Sequence, residues 1–184
     1  MNSLPAGSQL LDINLILDKA EIEDKTKVAD LGCGSNGFFL FALAERVGKD
    51  GLVYGVDVLK KVLGAIDKRI YQENKKNIKT IWSNLEIFNG TKIEPSSIDT
   101  VLLINTLHLS SKRVEIIREA IRMLKKDANL VVVEWKNMEL PFGPEPEKRV
   151  KADLLKAGAE KLGLKLENEF SAGKYHYGLI FSKL

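Results

Sequence analysis

A chain of 184 residues with 45% apolar and 29% charged content is large enough to bury a substantial core and too apolar to be disordered. Its formal charge of +3 permits an anionic partner without calling for one, and no lysine–arginine block marks a nucleic-acid face. The single cysteine, Cys33, excludes an intrachain disulfide, a multi-cysteine zinc site and any reaction that needs two thiols.

No apolar run approaches the roughly 18 residues of a membrane span. Met1 to Asp12 is neither basic nor shaped like a secretion signal, so a cytoplasmic location is expected. Strand and helix signals alternate from residue 8 to about residue 170, the pattern of a parallel sheet covered on both faces. An opening helix presents Leu10, Ile13, Leu17 and Ala20 on one side. The first strand is 27–31. The helix after it carries Leu40, Leu43, Ala44 and Val47 on one face and is closed by Gly48. A second strand, 52–58, leads into a helix striped by Leu59, Val62, Leu63, Ile66 and Ile70. A short third strand covers 78–82.

The fourth strand, 97–105, contains the continuous apolar run Val101 to Ile104, suited to a buried parallel position. Ser111 is placed to cap the next helix, whose face is Val114, Ile117, Ile121 and Leu124. Residues 129–135 form the fifth strand, with Glu134 and Trp135 at its end. Pro141, Pro144 and Pro146 then stiffen a loop, and 147–162 return to helix. Two last strand-like runs, 164–170 and 175–182, leave no room for a crossover helix and must pair as an antiparallel hairpin. The expected fold is α/β: a doubly wound, mostly parallel seven-stranded sheet with a C-terminal antiparallel hairpin and helices on both faces.

The chemistry concentrates between the first strand and its helix, in Asp30-Leu31-Gly32-Cys33-Gly34-Ser35-Asn36-Gly37. Glycines let backbone approach a ligand closely, and the helix start aims free N–H groups into the same space. About 20 residues beyond Gly37, Asp57 ends the second strand at the offset expected of a ribose-binding carboxylate. Gly32, Gly34 and Gly37 spell the dinucleotide pattern G-x-G-x-x-G, which alone is weak. Asp30 argues against it, because a carboxylate at the strand tip repels a diphosphate and attracts a cation. S-adenosylmethionine, with an ammonium and a sulfonium, meets that requirement.

The Asp-x-Gly-Cys-Gly turn, with the blocks Asn77 to Glu86, Ile98 to His108 and Arg122 to Lys136 in order, resembles the class I S-adenosylmethionine-dependent methyltransferases over essentially the whole chain. The flavour is that of the small branch near the ubiquinone/menaquinone-biosynthesis methyltransferases. The resemblance implies one domain, 1–184, that transfers a methyl group to a small or medium-sized acceptor. It assigns Asp30 to the methionine ammonium. Gly32, Cys33 and Gly34 would give backbone contacts, and Asp57 with Val58 would hold the ribose side. Asn84 and Leu85 would take the adenine, and Asn105 would lie near the methyl group. No metal is expected. Two departures stand out. Asn36 occupies a position where the family has glycine, and it would have to tolerate a left-handed turn. Asn84 stands where an aspartate is usual.

His108 and His176 are the only histidines, and either is a candidate general base, with Tyr175 beside His176 completing the catalytic candidates. Each residue also has a plainer role: Asp57 as a helix cap, Asn84 as a turn residue, Cys33 as a small residue in a crowded turn, and the histidines as packing groups. Two other functions stay open at this point. One is a nicotinamide-dependent oxidoreductase, and the other is a non-catalytic S-adenosylmethionine-binding domain. Nucleic acid is a disfavoured acceptor, since Asn105-Thr106-Leu107-His108 lacks the Asn-Pro-Pro-aromatic signature of base amino-group methylation. The oligomeric state is not legible.

Overall fold

The structure, a computed structural model, describes residues 10–184. The readings placed on Met1 to Gln9 lie outside the described residues. The elements follow in the order α1 (Ile13–Lys19), β1 (Lys27–Leu31), α2 (Phe38–Arg46), β2 (Leu52–Asp57), α3 (Lys60–Gln72) and β3 (Ile78–Trp82). Then come β4 (Ile98–Ile104), α4 (Arg113–Met123), β5 (Leu124–Trp135), α5 (Ala152–Lys161), β6 (Leu164–Ser171) and β7 (His176–Lys183). One seven-stranded sheet has the order β3-β2-β1-β4-β5-β7-β6. Strands β3, β2, β1, β4 and β5 are parallel, and β7 runs antiparallel between β5 and β6. The expected α/β architecture is the one observed.

Each face of the sheet carries its own core. On one side α4 and α5 close over Ala29, Leu31, Val101, Leu103, Leu130 and Val132. On the other, α1, α2 and α3 cover Val28, Val53, Leu102, Ile104, Val131 and Val133. Successive residues of β4 and β5 therefore point to opposite cores, which is why these strands read as unbroken apolar runs. The order reverses between β1 and β4, so the chain leaves these neighbours toward opposite faces. A crevice opens beyond their carboxyl ends, the general ligand site of such sheets.

Local boundaries differ from the sequence reading in four places. β5 begins at Leu124 rather than Asn129, because Leu124 already pairs with Ile98. The register then shifts across Lys125–Ala128, with Asp127 at φ +60°. The polar run 125–127 hid that start. The helix expected over 147–162 shortens to Ala152–Lys161, preceded by one 3-10 turn at Pro146–Lys148. Arg149, 5% exposed, holds the intervening segment extended by donating to the carbonyls of Pro144 and Met138. Ser111 does not cap α4; the Ser110 hydroxyl oxygen instead accepts from the N–H of Lys112 at 2.9 Å. On α1 the buried face centres on Ile16 and Leu17, with Ile13 only partly buried.

The long connection from β3 to β4 has no helix and is pinned by a buried charge. Glu119 of α4, fully buried, accepts from the Asn89 N–H at 2.6 Å and the Thr91 hydroxyl at 2.6 Å. It also pairs with the Arg122 guanidinium at 2.9 Å. Removing one partner of a buried pair leaves an uncompensated charge. Glu119→Ala should therefore lose about 3 kcal/mol or more in urea unfolding; a loss below about 1 kcal/mol would mean that the cluster does not anchor this connection.

Candidate functional site

The turn after β1 takes its shape from three glycines. Gly32, Gly34 and Gly37 all have positive φ, at +81°, +66° and +53°. Gly37 takes the left-handed position that closes the turn and opens α2, so Asn36 is not forced into that region and the shifted glycine costs nothing in backbone strain. The N–H groups of Gly32 and Cys33 donate to the Val56 carbonyl at 2.8 and 3.1 Å, which binds the turn to the end of β2. A side chain at position 32 would strike Thr106, whose hydroxyl oxygen would lie 2.7 Å from the added carbon. At Gly34 the same construction meets open space. The turn is packed on one side and open on the side facing the crevice.

Asp30 and Asp57 flank this opening, 2% and 8% exposed. Asp57 is well partnered: Oδ2 accepts from the Gly34 N–H at 3.2 Å and Oδ1 from the Leu59 N–H at 2.9 Å. The second bond closes an i to i+2 turn onto Leu59, the residue before α3, so Asp57 has a local structural role without being the helix cap. Each carboxylate oxygen keeps a further lone pair for a ligand hydroxyl. Asp30 differs. Burial first, and then the charge of Asp57, raise its pKa to about 7, and no hydrogen bond offsets them. Burial first, and then Asp30 and Asp57, also push the Cys33 thiol far up, which removes it as a nucleophile at neutral pH.

Among the described residues the polar side-chain atoms buried without partners are Asn105 Oδ1, Ser83 Oγ and the two ring nitrogens of His176. Asn105 sits at φ +54° directly after β4, held by its N–H to the Val133 carbonyl at 2.8 Å. Ser83 follows β3 and donates its N–H to the Asp57 carbonyl at 3.1 Å. Next to it, the side-chain oxygen of exposed Asn84 accepts from the Glu86 N–H at 2.9 Å, a turn role that leaves its amide N–H groups free. Leu85 is buried and Val58 is exposed. Asp30, Gly32, Cys33, Gly34, Asp57, Val58, Asn84, Leu85 and Asn105 thus lie at or just past the ends of the four adjacent strands β1 to β4.

The catalytic candidates gather beyond β4 and β5. His108 lies in a 3-10 turn, 107–109, with its side chain 11% exposed. Its Nδ1 is 3.0 Å from Oε2 of Glu134, and its backbone N–H donates to Oε1 of the same residue at 3.1 Å. Tyr175 packs edge-on against Phe142 of the proline-rich loop, centroids 5.1 Å apart. Phe142 meets Trp135 at 6.2 Å, and Trp135 meets His176 at 4.2 Å. The proline-rich loop and the hairpin therefore meet. His176 is fully buried, and neither ring nitrogen has a partner. Burial first, and then His108 and Lys136, lower its pKa to about 4, so it is neutral across the physiological range. Thr106 and Phe142 were not singled out by sequence, and Glu134 was noted at the end of the fifth strand without a catalytic role. Only Glu134 carried a signal, as a carboxylate at the end of an otherwise apolar strand.

A family model described as a methyltransferase domain matches residues 22–173. A demethylmenaquinone methyltransferase from Lactococcus lactis subsp. lactis (strain IL1403) is 30% identical over 115 residues, 62% of this chain. The chain covers 44% of that relative's length. Among solved structures, a SAM-dependent methyltransferase from Aquifex aeolicus superposes with a TM-score of 0.88 at 24% identity, covering 98% of this chain and 94% of that one. The cyclase SpnF superposes with a TM-score of 0.78 at 12% identity, covering 93% and 80%. These likenesses establish the fold, and they do not favour the nicotinamide reading.

Asp30 makes a pH prediction for the unliganded protein. Its pKa is raised on folding, so the stability it lends is complete below about pH 4 and is lost as pH rises toward 7. Above that, the buried carboxylate is an uncompensated cost. Asp30→Asn should therefore stabilise the unliganded protein at pH 8 by roughly 2–4 kcal/mol and hardly at all at pH 4, read by urea unfolding at both values. An equal effect at the two pH values would show that Asp30 is not held protonated by burial.

Proposed function

The chain belongs to the methyltransferase-domain family, and from that premise we propose that it transfers the methyl group of S-adenosylmethionine to a small or medium-sized, planar and partly apolar acceptor, releasing S-adenosylhomocysteine. The observation that carries the reading is Asp30, a buried carboxylate with no side-chain hydrogen bond among the described residues, beside a turn whose Gly34 faces open space. A ligand ammonium supplies the missing charge.

The residues present fit this cofactor. Asp30 takes the ammonium, and the turn Gly32-Cys33-Gly34, open at Gly34, admits the methionyl chain. Asp57 accepts from the ribose hydroxyls through its remaining lone pairs. Val58 and Leu85 flank the adenine ring, and the free amide N–H groups of Asn84 face its edge. The unpartnered Oδ1 of Asn105 borders the methyl side. Bound there, the cofactor supplies a methyl carbon already activated by its sulfonium. The protein's task is alignment and exclusion of water.

The acceptor lies against Phe142 and Tyr175, aromatic walls backed by buried Trp135 and His176, with a polar handle at His108. The absence of a basic block supports a small molecule over nucleic acid. We read residues 1–184 as one domain acting in the cytoplasm. Among the described residues no helix is long and apolar enough to cross a membrane.

Calorimetry should detect binding of S-adenosylhomocysteine and no binding of NAD; the reverse ranking overturns the proposal. Asp57→Ala should weaken that binding by roughly 1.5–3 kcal/mol, the scale for hydrogen bonds to a charged group. Unchanged affinity in a folded variant would leave Asp57 with only its local contacts to the Gly34 and Leu59 N–H groups.

A further inference from the structure

Glu134 is a fully buried carboxylate at the end of β5, and both of the N–H donors that reach it from the turn beyond β4 belong to one residue. The backbone N–H of His108 occupies Oε1, and the ring Nδ1 occupies Oε2. A carboxylate only accepts, so Nδ1 carries a proton, and in the neutral ring Nε2 is the nitrogen with the free lone pair. The turn that presents this ring is itself fixed to the glycine turn, because the Thr106 hydroxyl donates to the Leu31 carbonyl at 2.9 Å. A proton acceptor of set tautomer therefore stands two residues from the contact that shapes the cofactor side. The other imidazole nearby, His176, contributes no competing charge, and its neighbours are aromatic rings.

On the methyl-transfer reading above, we propose that Glu134 is a positioning residue that makes His108 a general base, and that the acceptor is a planar ring methylated on a weakly acidic hydroxyl. Alignment alone methylates a group that is already nucleophilic; a hydroxyl that stays protonated at neutral pH requires a base. In the step, the acceptor O–H bond breaks and its proton passes to His108 Nε2. The oxygen's electron pair forms the new bond to the methyl carbon, while the pair of the breaking carbon–sulfur bond returns to sulfur. The imidazolium that results is held against the Glu134 carboxylate and later gives its proton to solvent. Atoms and charge balance with the methyl ether, S-adenosylhomocysteine and a proton as products.

Two histidines in the whole chain make the tautomer directly observable. In a uniformly 15N-labelled protein, two-bond nitrogen–proton correlations should show one ring locked with its proton on Nδ1, assigned by its absence in His108→Asn. Glu134→Gln tests the cause. A glutamine has one acceptor and one donor end, so it cannot accept both N–H groups; with its oxygen kept on the backbone, its amide forces Nδ1 to accept and moves the ring proton to Nε2. The expected result is that tautomer switch in a folded variant. A wild-type ring protonated on Nε2, or an unchanged tautomer in Glu134→Gln, overturns the dyad.

Turnover tests the substrate class separately, with 2-naphthol and 4-nitrophenol as probes and S-adenosylhomocysteine release as the readout. Glu134→Gln should lower kcat on 2-naphthol by roughly 10–100-fold with little change in KM. It should spare 4-nitrophenol, which is largely ionised at pH 8 and needs no base. Equal losses on both probes, or no turnover of either by a protein that binds S-adenosylhomocysteine, overturn the hydroxyl class while leaving the methyl-transfer reading standing. Failure to bind S-adenosylhomocysteine at all removes that reading instead, and the tautomer measurement still judges the dyad.

Discussion

No side chain fits at position 32. The Cα of Gly32, at φ +81°, faces the Thr106 hydroxyl so closely that an added Cβ would lie inside contact distance. The same hydroxyl donates to the carbonyl of Leu31, and so the end of β1 and the turn after β4 are fastened where the sheet order reverses. Much of the site depends on this fastening. It seals Asp30 below the turn and sets Asn105 at the rim. It also starts the short segment that presents His108. Because the contact is with the short Thr106 side chain, whose hydroxyl is itself tied to the Leu31 carbonyl, a larger residue at 32 would have to displace that bond between two central strand ends.

Four carboxylates are buried among the described residues, and their surroundings separate structure from chemistry. Glu119 has an arginine, a hydroxyl and backbone donors, and its work is to hold a connection in place. Asp57 accepts from two backbone N–H groups and ties the glycine turn to α3. Glu134 accepts twice from His108. Asp30 has only a second negative charge for company. Burying an unpaired ionisable group is unfavourable in the unliganded fold, and such expense is typical of ligand sites. The physical argument for a cationic ligand rests on this contrast rather than on the glycine spelling. The superposition with a cyclase shows why it must, since one fold carries unrelated reactions.

The elements most legible in the sequence were those with strong periodicity: α3 and α4 with their apolar stripes, the unbroken run of β4, and the closing hairpin. Less legible were segments whose conformation is imposed from outside. The start of β5 looks polar because Lys125, Lys126 and Asp127 are exposed on a bulge, and only pairing with Ile98 makes it strand. Residues 149 and 150 have helical composition, yet Arg149 is drawn to the Pro144 and Met138 carbonyls, and the Val150 carbonyl receives the Tyr177 hydroxyl at 2.7 Å. These are long-range choices that no local window contains.

By itself the sequence determined the order of strands and helices, the glycine turn with an acid on either side, and the absence of two-thiol chemistry. Those follow from residue type and spacing along one segment. Tertiary structure decided which polar groups would be left unsatisfied. Asp57 finds its partners within the turn and at the residue before α3, whereas Asp30 finds none. Glu134 and His108 are 26 residues apart, joined only because β4 and β5 are neighbours with their ends level. Phe142, Tyr175 and His176 meet over Trp135 because β7 inserts beside β5 rather than at the sheet edge. Residue chemistry is written locally, but the protonation and partners that give it a function are set by burial and strand order.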